Sequence, residues 1–364
     1  MAEQKHRKAH LFSGTLSAWI LGTATAVFAV CALISGNGAE AAEHPVWQPL
    51  LRAHDRLSLM LGNDRLGSVY VTEERLLPHL AEPKQDTVLA AAEAVNLYAA
   101  SAGSSVYMLA VPTSAGIYGD MLSDAAPLTN EHQILRTFSE ALQEPVLWIE
   151  AASWLSGERE NYIYYRTDSH WTGYGAFCVY RSAIRKLGFN AYGYDHFNVS
   201  HFSCRYYGAL SQRSHFYDLM PDTVDLYESV GEPQTQRVTV LRPDGCTVLT
   251  GYFLTDLPEA KEHPEKVFAL ETERVLRIET ENQSSRDLLL LTDRCGSSMI
   301  PFLMQHYRMI TAVNLPACAE NETDWRALTD GNYAQVLILC GTETITAEDG
   351  LQAMLAVPEH ETEE

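Results

Sequence analysis

Apolar and polar positions along the chain follow two periodicities, which predict strands and helices in alternation. Residues 106–111 (Val-Tyr-Met-Leu-Ala-Val) form a continuous apolar run ending at a proline, which is typical of a strand buried on both faces. Residues 84–101 instead repeat apolar side chains at helical spacing, on a face formed by Val88, Ala92, Val95 and Ala99. The two patterns predict an amphipathic helix followed by a buried strand.

The same alternation continues through most of the chain. Further apolar runs predict strands at 68–72, 146–149, 287–291, 309–314 and 334–340. Helical spacing predicts helices at 130–143, 172–187 and 298–307, and the second of these would bury Ala176, Tyr180, Ile184 and Leu187. Strands and helices in this order predict an α/β fold, with a parallel sheet covered by helices on both faces.

Residues 197–285 depart from that pattern. Short β-rich runs at 237–241, 247–249 and 275–278 are joined by turn sequences such as Pro243-Asp244-Gly245. We interpret this stretch as a β-rich insertion near the functional site rather than a separate domain. No long linker or repeat divides residues 47–364, so one domain is expected there.

The N-terminus carries an apolar segment with basic residues before it. Residues 1–10 contain Lys5, Arg7 and Lys8, and residues 11–35 contain no charged side chain. A helix needs ~20 apolar residues to cross a bilayer, and the basic flank is expected to stay in the cytoplasm. The sequence thus predicts a single-pass membrane anchor at 11–35, a spacer at 36–46 and an extracytoplasmic domain beyond it. Cleavage after Ala41, in a small-x-small pattern, would make the protein secreted instead.

The net charge and the cysteine content limit the kinds of ligand, cofactor and disulfide that can be expected. The formal net charge is −21, which repels phosphate backbones and argues against nucleic-acid binding. The chain has neither a phosphate-binding glycine loop nor an H-E-x-x-H pair, so no nucleotide cofactor and no metal are predicted. Its seven cysteines include no C-x-x-C pair. Outside the cytoplasm six of them could form disulfides, and buried thiols are an equal alternative.

Reactive side chains follow several of the strands. Ligands in open α/β sheets bind beyond the carboxyl ends of the strands, and three polar segments lie there, at 112–114, 167–170 and 292–298. The middle segment holds Asp168 and His170. An imidazole can take a proton from a nucleophile while a carboxylate fixes its tautomer. The alternative is an Asp168 that caps the next helix beside a surface histidine.

The residues around this pair resemble a known family. The stretch 162–177, Tyr-Ile-Tyr-Tyr-Arg-Thr-Asp-Ser-His-Trp-Thr-Gly-Tyr-Gly-Ala-Phe, is similar to the signature of the DHHW-motif family. Here the motif reads Asp168-Ser169-His170-Trp171, with serine in place of the first histidine. Similar stretches at 107–118, 206–210, 220–224, 300–307 and 333–339 extend the resemblance over most of residues 60–345.

The resemblance implies a fold, a location and a site. The family consists of bacterial membrane-anchored proteins that look like relatives of the SGNH-like domains of alginate-type polysaccharide O-acetyltransferases. The implied fold is a flavodoxin-like three-layer α/β/α sheet. In the implied site, Asp168 orients the base His170, and the nucleophile is a serine directly after an aspartate at a strand end. At that point this chain has Asp293 followed by Arg294, and a guanidinium has no lone pair with which to attack.

Several neighbours could replace the missing hydroxyl. Cys295 follows immediately, and a thiol beside a histidine can be a nucleophile. Ser297 and Ser298 lie in the first turn of the following helix, where they could instead be caps. Ser114, after another strand, is a more distant candidate for the site. Candidate ligand contacts are Asp293, Trp171 and Arg294, which could pair with Asp168 or Asp293, or grip an anionic group such as a uronic acid carboxylate.

Two functions follow from these alternatives. The first is a non-catalytic SGNH-like module of the cell envelope that has a degenerate Ser-His-Asp site and binds or organises envelope glycans. The second is an active esterase or O-acetyltransferase that modifies envelope polysaccharide through Asp168, His170 and a displaced nucleophile. A purely structural surface protein is a third possibility.

Overall fold

The computed structural model describes residues 64–123, 126–231 and 235–356, together with positions 22, 56 and 59–62. In these ranges the strands are β1 (Arg65–Leu66), β2 (Val69–Val71), β3 (Leu76–Pro78), β4 (Ser105–Val111), β5 (Leu147–Glu150), β6 (Phe197–Tyr206), β7 (Asp222–Ser229), β8 (Thr235–Arg242), β9 (Gly245–Leu249), β10 (Val275–Thr280), β11 (Asp287–Thr292), β12 (Met309–Asn314) and β13 (Gln335–Gly341).

The α-helices of the same ranges are α1 (Gln85–Ser101), α2 (Ser114–Tyr118), α3 (Glu131–Ala141), α4 (Ala152–Gly157), α5 (Gly173–Lys186), α6 (Ala209–Ser214), α7 (Pro258–Glu262), α8 (Cys295–Leu303), α9 (Leu315–Glu320), α10 (Trp325–Leu328), α11 (Thr342–Thr346) and α12 (Leu351–Leu355). Short 3-10 turns occupy Gly119–Met121, Tyr194–His196, Pro264–Val267 and Ala269–Glu271.

A large mixed sheet forms the centre of the fold, and the predicted α/β class is confirmed. Its strand order is β5-β4-β13-β11-β12-β10-β8-β9. The first five strands are parallel to one another, while β10, β8 and β9 continue the sheet in antiparallel pairing. Every residue of β11 is buried, as the continuous apolar run predicted.

Helices cover both faces of this sheet, because successive side chains of each strand point in opposite directions. On β4, Leu109 and Val111 pack into a core with α5 and α8, whereas Met108 and Ala110 pack into a second core with α1 and α3. The predicted helices at 84–101, 130–143 and 172–187 are confirmed as α1, α3 and α5. The parallel strand ends are therefore fixed between two packed layers.

The segment 197–285 adds strands at one edge and a small separate sheet. The strands predicted at 237–241, 247–249 and 275–278 are confirmed as β8, β9 and β10, which extend the large sheet. Strands β6 and β7 pair only with each other. The pattern did not predict β6 because this strand is mostly exposed or half-buried, so its apolar residues do not alternate cleanly. Strand β7 was missed although its first five positions alternate between buried and half-buried.

The helix after β11 begins and ends earlier than its predicted range, 298–307. It starts at Cys295, whose backbone N–H donates to the Asp293 carboxylate at 2.9 Å and so gains a partner at the helix N-terminus. After Leu303 the chain continues in turns, in which Gln305 and His306 donate to carbonyls three residues earlier. This shift puts Cys295, Ser297 and Ser298 within the first turns of α8.

Some sequence predictions concern residues that the structure does not describe. The predicted basic stub at 1–10, the anchor at 11–35 and the spacer at 36–46 lie outside the described residues, position 22 excepted. No helix among the described residues is both long and apolar enough to cross a membrane. The six cysteines of the described part are all free, and Cys204 and Cys246 among them are exposed.

Replacement of Gly175 by alanine is expected to destabilise the fold. A Cβ there would lie 2.2 Å from the Ile163 carbonyl oxygen, so the helix start and the preceding loop would have to move apart. We expect Gly175→Ala to lower the free energy of unfolding by about 1 to 3 kcal/mol in urea titrations. Gly157→Ala is the control, because its Cβ would meet nothing within 4 Å. Equal stability of the two variants would contradict this packing.

Candidate functional site

Two neighbouring cavities open at the carboxyl ends of the parallel strands. The larger, of about 160 Å³, is lined by residues at or just after the ends of β4, β11, β12 and β13, including Val111, Arg294, Pro316 and Gly341. The smaller, of about 30 Å³, lies towards the 3-10 turns that precede β10. His170 and Arg294 line both cavities. This is the edge at which open α/β sheets bind ligands.

A short hairpin presents the Asp168–His170 pair to the cavities. Tyr164 and Trp171 form an isolated antiparallel bridge, and the Tyr165 N–H donates to the His170 carbonyl at 3.2 Å. The buried Asp222 carboxylate holds the hairpin, since it accepts the backbone N–H groups of Arg166 at 2.7 Å and Thr167 at 2.9 Å. Burial raises the pKa of Asp222, and these bonds oppose that rise.

The capping role considered for Asp168 belongs to another residue. Thr172 is the N-cap of α5, and its hydroxyl accepts the Gly175 N–H at 3.2 Å. The alternative in which Asp168 caps this helix is therefore wrong. The Asp168 carboxylate is left to contact the imidazole.

Asp168 is fully buried, and polar partners surround its carboxylate. Oδ1 accepts from His170 Nδ1 at 2.7 Å, and Oδ2 accepts from the Tyr206 hydroxyl at 2.7 Å and the Ala209 N–H at 3.0 Å. Burial works to raise the pKa of Asp168, but the charges of Arg294 and His170 and these hydrogen bonds hold it well below its usual range. Asp168 is therefore ionised at neutral pH.

His170 is oriented as a base or a hydrogen-bond donor. Its Nδ1 faces Asp168, which leaves Nε2 for a ligand, and its side chain is 21% exposed. Burial and the charge of Arg294 lower the pKa of His170, but Asp168 and Glu343 more than offset them, so the pKa lies above its ordinary value. The predicted pairing of these two residues is present in the structure.

Arg294 occupies the centre of the site and is held by acidic groups. Its Nε donates to Glu271 Oε2 at 3.1 Å, and its Nη1 lies 3.7 Å from Asp168 Oδ2. Burial lowers the pKa of Arg294, but Glu271 and Asp168 raise it well above its ordinary value. The expected pairing with Asp168 is thus present, a pairing with Asp293 is not, and Glu271 is the closer partner.

The Cys295 thiol, predicted as a substitute nucleophile, is buried next to a carboxylate. Cys295 is buried, and burial together with Asp293 raises the pKa of its thiol well above the ordinary value. Asp293 itself accepts the Gly341 N–H at 2.7 Å and the Thr344 hydroxyl at 2.6 Å, in addition to the Cys295 N–H. Protein donors thus engage both oxygens of Asp293, which also lines the larger cavity, and its role as a ligand contact stays a prediction.

The serine candidates lie near the site without contacting the base. The Ser297 hydroxyl donates to Glu271 Oε1 at 2.7 Å, and Ser298 is half-buried in the wall of the smaller cavity. Ser114 is fully buried and lines neither cavity, although its N–H donates to the Ser169 carbonyl. Among the described contacts, none of these three hydroxyls reaches His170. Their predicted catalytic roles gain no geometric support, and the same holds for Ser114 as a ligand contact.

Trp171, which is predicted to contact a ligand, is almost fully buried beside the site. Its side chain is 2% exposed, and its Nε1 donates to the Cys295 carbonyl at 3.1 Å, which ties the hairpin to α8. It also forms part of the wall of the smaller cavity.

Sequence reasoning did not assign several residues that shape the site. Tyr206 and Asp222 fall inside the family-like stretches at 206–210 and 220–224, so the family resemblance could have identified them as site residues. Glu265, Glu271 and Glu343 had no such signal. They lie far along the chain from the motif and reach the cavities only through the fold.

Comparisons with known proteins agree with this architecture. The family described as DHHW protein matches residues 61–313. A DHHW family protein from Eubacterium siraeum is 17% identical with a TM-score of 0.63, covering 79% of this chain and 93% of that one. Bacillus cereus PatB1 with a sulfonyl adduct is 15% identical with a TM-score of 0.62, covering 79% and 97%. At these identities the two likenesses establish the fold.

A weaker likeness involves the O-acetyltransferase domain of Pseudomonas putida AlgJ. It is 14% identical with a TM-score of 0.48, covering 80% of this chain and 96% of that one. No curated protein matches the chain significantly.

Removal of the Asp168 charge is expected to lower the pKa of His170. Burial and Arg294 both favour the neutral imidazole, and Asp168 is the main opposing group. In Asp168→Asn the pKa of His170 should therefore fall, which NMR titration of the imidazole would measure. Asp225→Asn, which alters the exposed His201–Asp225 pair, is the control and should leave the pKa of His170 unchanged. An unaltered pKa in Asp168→Asn would show that the pair is not coupled.

Proposed function

The chain belongs to the DHHW protein family, and from that premise we propose that its site has lost acyl-transfer chemistry and binds a saccharide of the cell envelope. One observation carries the proposal. Arg294, which stands where the family resemblance implies a nucleophilic serine, lies between Glu271 and Asp168 in the centre of the site. A guanidinium in this position neither attacks a carbonyl nor gives a proton to His170.

The surroundings of Arg294 support the same conclusion. Acyl transfer through a side chain needs a nucleophile within hydrogen-bond reach of the base, about 2.6 to 3.2 Å away. In the described part of the chain, Ser297 donates to Glu271 instead, and the Cys295 thiol is buried with a raised pKa. The hydroxyl in contact with His170 is that of Ser169, which lies 3.5 Å from Nδ1, the nitrogen that faces Asp168, and donates to Glu343 at 3.0 Å. Among the described contacts, no hydroxyl or thiol reaches Nε2.

What remains suits the binding of a small polar ligand. The larger cavity, at about 160 Å³, is below the ~300–1,000 Å³ of pockets for drug-sized ligands. It would therefore hold a single sugar unit or the end of a glycan chain. Tyr164, His170 and Glu343 line it and offer an aromatic ring together with hydrogen-bonding groups, which is the mixture that sugars need.

The proposal includes the setting of the domain. We interpret the fold as an SGNH-type, flavodoxin-like α/β/α domain in which residues 197–285 are a β-rich insertion. The uncharged stretch at 11–35 would anchor it to the cell membrane, with the domain outside the cytoplasm. Envelope polysaccharide would then be the accessible partner.

The second candidate is an active esterase or O-acetyltransferase on envelope polysaccharide. The observation that favours it is the intact Asp168–His170 contact, 2.7 Å long, together with the raised pKa of the imidazole. The candidate requires a nucleophile from elsewhere to approach His170. Labelling with nucleophile-directed reagents separates the two functions.

The protein is expected to show no nucleophilic catalysis that depends on His170. Full-length native protein and His170→Ala should show equally little labelling by a sulfonyl fluoride and equally little acetyl-ester hydrolysis. Peptide mapping by mass spectrometry must accompany a thiol reagent, because the exposed Cys204 and Cys246 will react in both proteins. Labelling or turnover that requires His170 would contradict the proposal and support the enzyme.

Arg294→Ser is expected to gain labelling by the sulfonyl fluoride. The substitution returns a hydroxyl to the position beside the Asp168–His170 pair, and the gain should vanish in Arg294→Ser/His170→Ala. Arg136→Ser, at an exposed position on α3, is the control for loss of an arginine. If Arg294→Ser remains unlabelled although folded, position 294 does not correspond to the nucleophile.

Saccharide binding should depend on His170. We expect an envelope-type oligosaccharide to bind the full-length protein in calorimetric titrations and His170→Ala to weaken binding about tenfold, through loss of one charge-assisted hydrogen bond. His201→Ala, which alters an exposed histidine that also pairs with an aspartate, should bind normally. Absence of binding across neutral, acidic and amino sugars would remove the proposed function.

A further inference from the structure

Among the charged side chains around the two cavities, acidic groups outnumber basic ones. Glu265 and Glu271 line the smaller cavity, and Asp293 and Glu343 line the larger one. The buried Asp168 carboxylate contacts both His170 and Arg294. Against these five carboxyl groups stand two cationic side chains, Arg294 and His170. The local field therefore favours a positively charged ligand over an anion.

The charge of Arg294 is already compensated. Its guanidinium donates to Glu271 through Nε and lies 3.7 Å from Asp168, so it faces two carboxylates at once. A uronic acid carboxylate would therefore meet a guanidinium whose charge two carboxylates already offset. Glu271 resists displacement because its side chain is only 10% exposed and its other oxygen accepts the Ser297 hydroxyl. The anionic ligand expected from the sequence is therefore disfavoured.

Glu265 supplies an acidic group with unused bonding capacity. Its side chain is 22% exposed, its Oε2 is buried, and none of the described residues donates a hydrogen bond to that oxygen. The other oxygen, Oε1, lies 3.8 Å from His263 Nδ1. A buried carboxylate oxygen without a donor is costly, so the site gains when a ligand supplies one. Burial also raises the pKa of Glu265, and a backbone hydrogen bond and the charges of Arg294 and His263 oppose that rise.

Aromatic rings complete the wall around Glu265. Tyr165, Trp171, Tyr206 and Phe268 line the same small cavity. The faces of aromatic rings attract cations, and most strongly when the cation has lost its water. At about 30 Å³ the cavity matches a group the size of one water molecule or one ammonium group.

We propose that the saccharide bound by this protein carries a free ammonium group, as in an unacetylated 2-amino sugar, which enters the small cavity beside Glu265. The remainder of the saccharide lies in the larger cavity, next to His170. This inference rests on the proposed saccharide-binding function and specifies its ligand. An N-acetyl group would be too large for the small cavity and would carry no charge, and a uronic acid would meet carboxylates.

Calorimetric titration of the full-length protein with three matched tetrasaccharides tests the inference: glucosamine, N-acetylglucosamine and galacturonic acid oligomers. The glucosamine oligomer should bind at least about tenfold more tightly than the other two, at a pH where its amines are protonated. Glu265→Gln should remove most of this preference. The control is Glu262→Gln, which makes the same charge change at an exposed position on α7 outside both cavities.

The possible outcomes distinguish failure of the ammonium assignment from failure of the proposed saccharide binding. Preference for the acetylated or the acidic oligomer, with binding that His170→Ala still weakens, would overturn the ammonium assignment and leave saccharide binding in place. Equal effects of Glu265→Gln and Glu262→Gln would likewise overturn it. No binding of any oligomer would overturn both. The three ligands are compared on the native protein, so the result does not depend on the folding of a variant.

Discussion

The buried carboxylate of Asp168 is the constraint around which the rest of the site is organised. A charge with no access to water is stable only where donors and cations surround it. Here the donors come from separate segments: His170 from the hairpin, Tyr206 from the end of β6 and Ala209 from the start of α6. The close approach of the chain to this carboxylate also requires a glycine at position 208, since a Cβ there would lie 2.5 Å from Asp168 Oδ2. Satisfying one carboxylate thus fixes how two loops meet.

Arg294 lies beside the Asp168–His170 pair, whose contact at 2.7 Å is intact. A guanidinium beside Asp168 adds a positive charge, and Glu271 balances it with a hydrogen bond at 3.1 Å. The pair is partly screened, because the Arg294 side chain is 34% exposed, so its value is local order more than stability. Together these groups form a network of charges beside the two cavities. Under the proposed function, this network recognises a ligand and does not transform it.

Periodicity and motif spacing predicted the main elements because both depend on neighbours along the chain. The apolar run at 106–111 forms β4, and the helical face carrying Val88 and Val95 is buried on α1. The motif predicted the contact between Asp168 and His170 because the two residues are separated by only one position in a tight turn. Strand β6 was not predicted, since partial exposure leaves no clear alternation, and β7 was missed although its buried and half-buried positions alternate from Asp222 to Leu226.

The sequence by itself determined the α/β class, the family resemblance, the Asp168–His170 pair and the presence of Arg294 where a serine was implied. Only the tertiary structure decided what Arg294 does, because its partner Glu271 is 23 residues away and reaches it through the packing of the 3-10 turns against α8. The burial of the Cys295 thiol and the acidic walls of the cavities were decided in the same way. Burial and charge compensation depend on groups that are distant along the chain, and no local pattern encodes their distances.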